Sequence, residues 1–281
     1  MIYSRLHGGL GNQMFQYAAA AQLAARLGVD VALDPRRALA KEQGELTTVF
    51  DLPIVPPDRL PPDRDERMLG YLLWRLFGRR PVLRRERGLG YDPAFETWGD
   101  ESYLHGYWQS QKYFADIEDR LREDFVMTPP MSEGNAEMAQ RIAAGPSVAL
   151  HVRRGDYVAL GATAVCDQAY YDAALKAVTD GLAEAPTVFV FSDDPGWARD
   201  NLAVPFEKVV VDLNGRETAH EDMRLMSLCQ HNVIANSTFS WWSAWLNRNP
   251  EKRVAAPSRW FANTRQSNPD ILPESWIRIG S

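Results

Sequence analysis

Hydrophobic and polar positions change their period twice near the N-terminus. Residues 2–6 alternate as in a strand, and residues 14–27 form an alanine-rich run with helical periodicity that ends at Gly28. Residues 29–33 alternate again. A strand, a helix and a second strand in this order predict a parallel sheet with a ligand site at the carboxyl end of its first strand.

The second half of the chain repeats this change of period several times. Its apolar runs are too rich in valine, isoleucine and alanine for half-exposed strands, which indicates a sheet covered on both faces. We predict an α/β protein with two Rossmann-like domains, residues 1–140 and 141–281. The predicted strands are 148–152, 188–191, 209–213, 232–235 and 253–256, and the predicted helices are 169–182, 221–230, 239–247 and one from Trp197.

The region between these halves carries weaker signals. Five prolines make residues 53–67 a predicted surface loop, and residues 117–125 have the pattern of a short helix. An Asp-x-Asp sequence at 63–65 lies in the proline-rich loop, so we interpret it as solvated charge and not as a metal site. The aromatic residues between 98 and 114 either stack on a ligand or build a core, and at this spacing a core is commoner.

Composition excludes several functional classes. The 281 residues carry a net charge of −6, which gives no footprint for DNA or RNA. Two cysteines, Cys166 and Cys229, have no CxxC spacing and no N-terminal signal stretch accompanies them, so we expect a reducing cytoplasm with neither a disulfide framework nor a zinc site.

Residues 68–77 combine helical periodicity with arginines at and beyond their end. This pattern is typical of a core-facing helix with a basic solvated end, the commoner case, and also of an interfacial helix at the inner face of a membrane. The second interpretation leaves peripheral membrane contact open.

A glycine-rich turn follows the first predicted strand. Gly8, Gly9 and Gly11 let the backbone approach a ligand, and Asn12 and Gln13 offer amide groups at the start of the helix. A purely structural turn remains an alternative.

Charged residues follow the strand at 148–152. His151 stands at the end of that strand, and Arg153, Arg154 and Asp156 come directly after it. The two arginines and the aspartate are costly to desolvate unless something pairs with them, and a diphosphate would pair with the arginines through parallel hydrogen bonds. Arg153 and Asp156 could instead pair with each other or with neighbours.

Two further polar segments follow predicted strands. Asp193 and Asp194 can accept hydrogen bonds from a guanine edge or ribose hydroxyls, although we expect one of them to cap a helix. Asn236, Ser237 and Thr238 begin a helix whose free N–H groups suit a phosphate, unless they serve only as its cap. The tryptophans that follow at helical spacing are expected in a core.

These segments carry a family resemblance. GGLGNQMFQYA, GYWQSQKYF, HVRRGDY, FSDD and HNVIANSTFSWWSAWLN, in this order, resemble the bacterial α-1,2-fucosyltransferases of glycosyltransferase family 11. The resemblance implies a GT-B arrangement, in which the two Rossmann-like domains face a cleft and the C-terminal one holds most of a GDP-fucose donor. It also implies no divalent metal or other cofactor, and inversion onto the 2-hydroxyl of a galactoside or other glycan, such as a lipid-linked O-antigen precursor. It leaves open a related GDP-6-deoxyhexose donor, a protein O-fucosyltransferase, and a non-catalytic GDP-sugar-binding protein.

Roles follow from this reading. Arg153 is expected on the β-phosphate, aided by Arg154 or by the Ser237 and Thr238 helix end. Asp156 is a candidate base, although Arg153 would lower its pKa and weaken it, and it could instead orient an arginine. Asn12 is expected to position the acceptor or the leaving group.

Overall fold

The computed structural model describes residues 1–40, 46–62, 67–77, 80–154, 166–261 and 266–280. It divides into two compact units. Unit 1 comprises Met1–Thr128 with Asn268–Ile271, and unit 2 comprises Pro129–Ser267 with Leu272–Ser281.

Unit 1 is built on a four-stranded parallel sheet with the strand order β2-β1-β4-β3. Because β1 is flanked by β2 on one side and β4 on the other, the chain reverses direction of winding between β1 and β4. Its elements are β1 (Ile2–Arg5), α1 (Leu10–Leu27), β2 (Val31–Asp34), α2 (Arg36–Leu39), α3 (Met68–Leu76), β3 (Val82–Arg85), β4 (Ser102–His105) and α4 (Glu118–Asp124).

Unit 2 is built on a six-stranded parallel sheet with the order β10-β9-β8-β5-β6-β7. This is the doubly wound Rossmann order, in which the chain winds outward from β5 to one edge and then from β8 to the other. Its elements are α5 (Glu133–Ala143), β5 (Ser147–Val152), α6 (Gln168–Thr179), β6 (Thr187–Ser192), α7 (Pro195–Asn201), β7 (Lys208–Val211), α8 (Ala219–Leu228), β8 (His231–Val233), α9 (Thr238–Leu246), β9 (Val254–Pro257) and β10 (Ile277–Ile279).

The core of unit 2 lies on both faces of its sheet. Alternate residues of β5 and β6 point to opposite sides: Val148, Leu150 and Val188 join the cluster under α6, while Ala149 and Phe189 join the cluster under α8. Burial on both faces explains why these strands read as continuous apolar runs. The tryptophans of α9, at 241, 242 and 245, are buried as expected.

The division between the units falls before α5. Ile142 is part of the unit 2 core, with Met138 and Ala139 packed against the same cluster. A boundary at residue 140 would have cut this helix, which belongs to the second unit because its apolar face packs there.

The sequence pattern missed three strands. β3, β4 and β10 have three or four residues each, and β3 and β10 are only half-buried at most positions. Such short strands hold too few positions to establish a period of two. The pairing of β3 and β4 with β1 is what completes the sheet of unit 1.

Helix α3 does not face a core in the way that we favoured from its pattern. Only Trp74 is buried, where it packs edge-on against Tyr103 and donates from Nε1 to the carbonyl of Pro81 at 3.0 Å. The remaining large apolar side chains of this segment are exposed.

Among the described residues, no helix is long and apolar enough to cross a membrane. Cys166 and Cys229 are free thiols, half-buried and buried respectively.

Candidate functional site

Most of the polar residues singled out in the second half of the sequence lie at one edge of the unit 2 sheet. β5 pairs with β6 on one side and with β8 on the other, so the loops that follow these three strands meet at their carboxyl ends. The winding reverses between β5 and β8, which is the point where open α/β sheets bind ligands. Arg153 and Arg154 follow β5, and Asn236 to Thr238 follow β8.

Asp193 ties the arginine loop to the end of β6. Its Oδ2 lies 3.3 Å from Nη1 of Arg153, and its Oδ1 accepts the backbone N–H of Arg154 at 2.9 Å. Arg153 therefore has one carboxylate partner in Asp193, which follows a neighbouring strand.

Arg154 is held by α7. Its guanidinium lies over the ring of Trp197, 3.8 Å from the centroid, and its Nε is 3.3 Å from Oδ2 of Asp194. This contact is an ion pair without hydrogen-bond geometry, so the buried Nε donor makes no hydrogen bond within the described residues. A cation fixed over an aromatic ring with an unused donor is suited to an anionic ligand.

Asp194 is the aspartate that caps a helix. Its Oδ1 accepts the N–H of Trp197 at 3.1 Å, and Pro195 occupies the first position of α7. A short polar side chain before proline is a common helix start. Asp193 makes no such cap and faces the arginines instead.

The start of α9 has no side-chain capping hydrogen bond within the described residues. Ser237 occupies the N-cap position, yet its side chain does not bond the first turn. The first N–H groups of a helix lack intrahelical partners and bear a partial positive charge, which suits a phosphate. Asn236 is anchored beside it by a 3.0 Å hydrogen bond from Nδ2 to the carbonyl of Trp260.

His151, near the end of β5, is a second buried polar group at this edge. It is 5% exposed, and its Nδ1 makes no hydrogen bond in the part of the chain described. Burial lowers the pKa of His151 to about 4, with the Arg153 charge acting in the same direction. A neutral imidazole packed near Phe239 of α9, with ring centroids 5.9 Å apart, thus lies between the arginine loop and the helix start.

The corresponding edge of unit 1 is formed by the loops after β1 and β4. Gly8 adopts a φ of 80°, and a Cβ at this position would lie 2.4 Å from Nδ2 of Asn12. Glycine is required there because of both the backbone conformation and the position of the Asn12 amide. Gly9 precedes α1 with an ordinary φ of −69° and open space around it, and Gly11 is buried in the first turn.

Asn12 is held across this edge by Gln109, with 2.8 Å between Oδ1 and the donating Nε2. Gln13 is different: it is fully buried, donates to the carbonyl of Gly8 at 3.0 Å and accepts from the N–H of Leu46 at 3.0 Å. One end of its amide thus holds the glycine turn, and the other holds the backbone at Leu46. Gln13 was expected to bind the donor, and its contacts assign it to supporting the glycine turn.

His7 is a residue of this edge that motif reasoning did not assign a role. The Gln16 amide accepts from the His7 N–H at 2.9 Å and donates to the His7 carbonyl at 3.0 Å, which fixes its orientation. The same Nε2 lies 3.2 Å from Nδ1 of His7, so Nδ1 accepts and the neutral ring carries its proton on Nε2. Its place directly before the glycines was the signal that could have identified it.

The aromatic residues after β4 are mostly core. Tyr103, Trp108 and Tyr113 are buried, whereas Tyr107 is 38% exposed and packs against His7, with centroids 4.6 Å apart. Of these residues, only Tyr107 presents a ring face at the surface.

The turn after β4 rests on Glu86. Its carboxylate accepts the N–H groups of Tyr107 at 2.7 Å and Trp108 at 3.0 Å, while burial raises the pKa of Glu86. A Cβ at Gly106 would lie 2.4 Å from Cβ of Glu86, so glycine is needed for this approach.

Two sequence interpretations fall outside the described residues. Asp156, the candidate base, and the acidic pair at 63–65 both lie in ranges that the structure does not describe. Within the described ranges, no cluster of three histidine, cysteine, aspartate or glutamate side chains is arranged to hold a metal ion.

Solved fucosyltransferases share this fold. The fucosyltransferase NodZ from Bradyrhizobium superposes with a TM-score of 0.53 at 15% identity, covering 86% of this chain and 91% of that one. A variant of Arabidopsis thaliana FUT1 in complex with GDP superposes with a TM-score of 0.54 at 13% identity, covering 91% and 70%. The expected α/β fold of GT-B class is confirmed.

The relatives in sequence are also glycosyltransferases. An alpha-1,2-colitosyltransferase of Escherichia coli is 31% identical, with 99% of each chain covered. The O-antigen biosynthesis glycosyltransferase WbnK of the same organism is 30% identical over 99% of this chain and 100% of its own. Galactoside alpha-(1,2)-fucosyltransferase 1 of Mus musculus is 26% identical over 98% and 71%. The family model described as glycosyl transferase family 11 matches residues 95–280, and the chain belongs to that family.

Proposed function

We propose that this glycosyltransferase moves L-fucose from GDP-fucose to the 2-hydroxyl of a galactoside, with inversion and without a divalent metal. The observation that carries the proposal is the junction of Arg153, Arg154 and the uncapped start of α9 at the point where the unit 2 sheet reverses its winding. Each of these groups favours an anion, and together they match a diphosphate.

Departure of GDP places negative charge on the β-phosphate in the transition state. Arg153 and Arg154 supply fixed positive charge, and the first N–H groups of α9 supply oriented dipoles. Arg153 can exchange its Asp193 partner for a phosphate oxygen, because the contact is 3.3 Å long and the two side chains are 36% and 25% exposed. Nε of Arg154 can donate to a phosphate oxygen without breaking a hydrogen bond within the described residues.

Other groups at this edge suit the nucleoside. His151 Nδ1 and the carboxylate of Asp193 can bond ribose hydroxyls or the guanine edge, and Asn236 and Thr238 add polar groups beside the phosphates. Asp194 is occupied with its helix cap, so we give it a supporting role through Arg154.

Roles for the remaining residues rest on the family resemblance. Asn12 is proposed to orient a reacting hydroxyl or the leaving group, with Gly9 and Gly11 leaving room for the ligand. Asp156 is proposed either to accept the acceptor proton or to orient an arginine, as its two-residue spacing from Arg154 in the sequence allows.

A second donor deserves a direct test. The Escherichia coli relative at 31% identity is named an alpha-1,2-colitosyltransferase, and colitose is fucose without its 3-hydroxyl. GDP-colitose is therefore the alternative donor for the same site, since loss of one hydroxyl leaves the nucleotide and the diphosphate unchanged.

The experiment is release of GDP from each donor in the presence of EDTA, with and without lactose or N-acetyllactosamine. Acceptor-stimulated release from GDP-fucose and an α-1,2-linked product are expected. Faster turnover of GDP-colitose would change the proposed donor and leave the proposed nucleotide site as it is. Release that requires added metal would contradict the metal-free mechanism.

A protein that only binds a GDP-sugar would give a different result. Tight GDP binding by calorimetry with no release from either donor, over a panel of β-galactosides and lipid-linked glycans, would contradict transferase activity on a galactoside. The Arg153→Ala variant serves as the control for specific turnover, since it removes one phosphate partner.

A further inference from the structure

Helix α3 has an apolar surface that the rest of unit 1 leaves exposed. Six large side chains in ten consecutive residues are between 43% and 75% exposed, half of all such exposed residues in the described chain. They are Met68, Leu69, Leu72, Leu73, Leu76 and Phe77. Contiguous exposed patches of this kind mark interaction surfaces, whereas single exposed leucines do not.

The exposed residues form one face of the helix. With 3.6 residues per turn, the six side chains cover an arc of roughly 180°, and the opposite side contains Gly70, Tyr71 and Trp74. That opposite side packs on the sheet: Trp74 is buried against Tyr103, and a Cβ at Gly70 would lie 3.4 Å from Pro62. The helix is thus anchored on one face and apolar on the other, exposed face.

The described residues of the helix and of the strand that follows it are rich in exposed arginine. Arg67, Arg75, Arg85 and Arg87 are exposed, and the stretch 67–77 contains no aspartate or glutamate. The acidic residue of the following strand region, Glu86, is half-buried beneath the Tyr107 and Trp108 N–H groups. The chain as a whole carries a net charge of −6, so this concentration of arginine runs against its composition.

We propose that the exposed face of α3 docks unit 1 on an anionic lipid surface, with leucines and Phe77 in the acyl boundary and the arginines at the headgroups. Nine helical residues span ~14 Å, about half of a bilayer core, so the helix lies in the interface plane. A second copy of the chain fits less well, because a two-fold contact would bring the same arginines together. This surface lies outside the nucleotide site, and the proposal does not depend on the donor.

The test is flotation of the full chain with vesicles of phosphatidylcholine alone or mixed equally with phosphatidylglycerol. Binding to the mixed vesicles that weakens with salt is expected. Leu69→Ser with Leu76→Ser should lower the partition coefficient about tenfold or more, because the two most exposed leucines no longer enter the acyl region.

Matched controls distinguish binding through this face from non-specific binding to vesicles. Leu213→Ser with Leu228→Ser changes two exposed leucines of unit 2 and should leave the partition coefficient unchanged. Arg75→Glu with Arg85→Glu should abolish the preference for anionic vesicles, whereas Arg141→Glu with Arg199→Glu, two exposed arginines of unit 2, should not.

Circular dichroism and GDP binding check that the variants remain folded. No flotation of the parent with anionic vesicles would overturn the proposal, and so would flotation that the α3 variants do not change. Concentration-dependent dimerisation in sedimentation, lost in Leu69→Ser with Leu76→Ser, would assign the face to a second copy and overturn the lipid assignment.

Discussion

The two units contain the same kind of edge with opposite chemistry. In each, the winding of a parallel sheet reverses beside its first strand, between β1 and β4 in unit 1 and between β5 and β8 in unit 2. The first edge is largely neutral and held by buried amides, with Gln13 and Gln16 bonded to backbone at both ends. The second is charged and held by ion pairs of 3.3 Å.

This difference determines which edge can replace its internal contacts with contacts to a ligand. Buried amides bonded at both ends are costly to break, since each lost partner leaves a desolvated group. Half-exposed ion pairs contribute little to stability and can give way to a stronger anion. We infer that unit 1 supplies a fixed surface and unit 2 an exchangeable set of charges.

The largest effect is expected for Arg153→Ala. Losing one charged donor to the leaving diphosphate should cost roughly 3 kcal/mol of transition-state stabilisation, a hundredfold or more in kcat, while the fold remains intact. Steady-state GDP release measures the rate, and circular dichroism checks the fold. The control is Arg141→Ala, which removes an arginine of unit 2 paired with Glu207, a residue that precedes β7 and so lies at the opposite edge of the sheet. Near-normal turnover of Arg153→Ala would remove the residue from the mechanism.

One added methyl group should destabilise the glycine turn at the unit 1 edge. Gly8→Ala places a Cβ at a φ of 80° and 2.4 Å from the Asn12 amide, so about 1–3 kcal/mol of unfolding free energy should be lost. Displacement of Asn12 should also lower transfer. The matched control is Gly9→Ala, where φ is −69° and no atom lies within 4 Å. Urea denaturation compares the two, and equal stability of both variants would refute the steric argument.

Two cap positions of unit 2 should separate stability from function. Asp194→Ala removes the cap of α7 and should cost about 1 kcal/mol of unfolding free energy. Ser237→Ala removes no capping bond, so stability should remain unchanged while the KM for the donor rises. Thermal unfolding and donor titration test the pair. A Tm loss in Ser237→Ala equal to that in Asp194→Ala would mean that Ser237 is structural.

The smallest effect is a pH dependence shared by both edges. Burial lowers the pKa of His105 in unit 1 and of His151 in unit 2 to about 4. Between the unfolded pKa of about 6.5 and this value, the unfolded chain binds more protons, so stability falls as pH falls and is constant above. Denaturation at about pH 7 and about pH 6 should therefore show a small loss at the lower pH, reduced in His151→Gln. A loss equal to that of the parent in this variant would exclude His151 as the source.

Hydrophobic periodicity predicted the strands of the second unit better than those of the first. Every predicted strand of residues 148–256 exists within two residues of its expected bounds, because strands buried on both faces leave a continuous apolar run. In unit 1, β3 and β4 are four residues each among glycines and prolines, and only their pairing with β1 makes them strands.

The candidate site divides in the same way. Arg153, Arg154 and Ser237 could be identified from their place after strands, since the carboxyl ends of parallel strands share an edge. The part played by Gln13 could not be deduced, because an amide at a helix start looks the same whether it faces a ligand or the N–H of Leu46. The partnership of Arg153 with Asp193 required knowing that β5 and β6 are neighbours.

The sequence by itself determined the α/β class, the family and the residues at strand ends, because these follow from local periodicity and from short motifs. Tertiary structure alone decided the strand order, which side-chain amides hydrogen-bond to the backbone, and which apolar face of α3 stays exposed. The physical reason is that burial and hydrogen-bond partners are properties of residues far apart in the chain, and no local pattern encodes which of them meet.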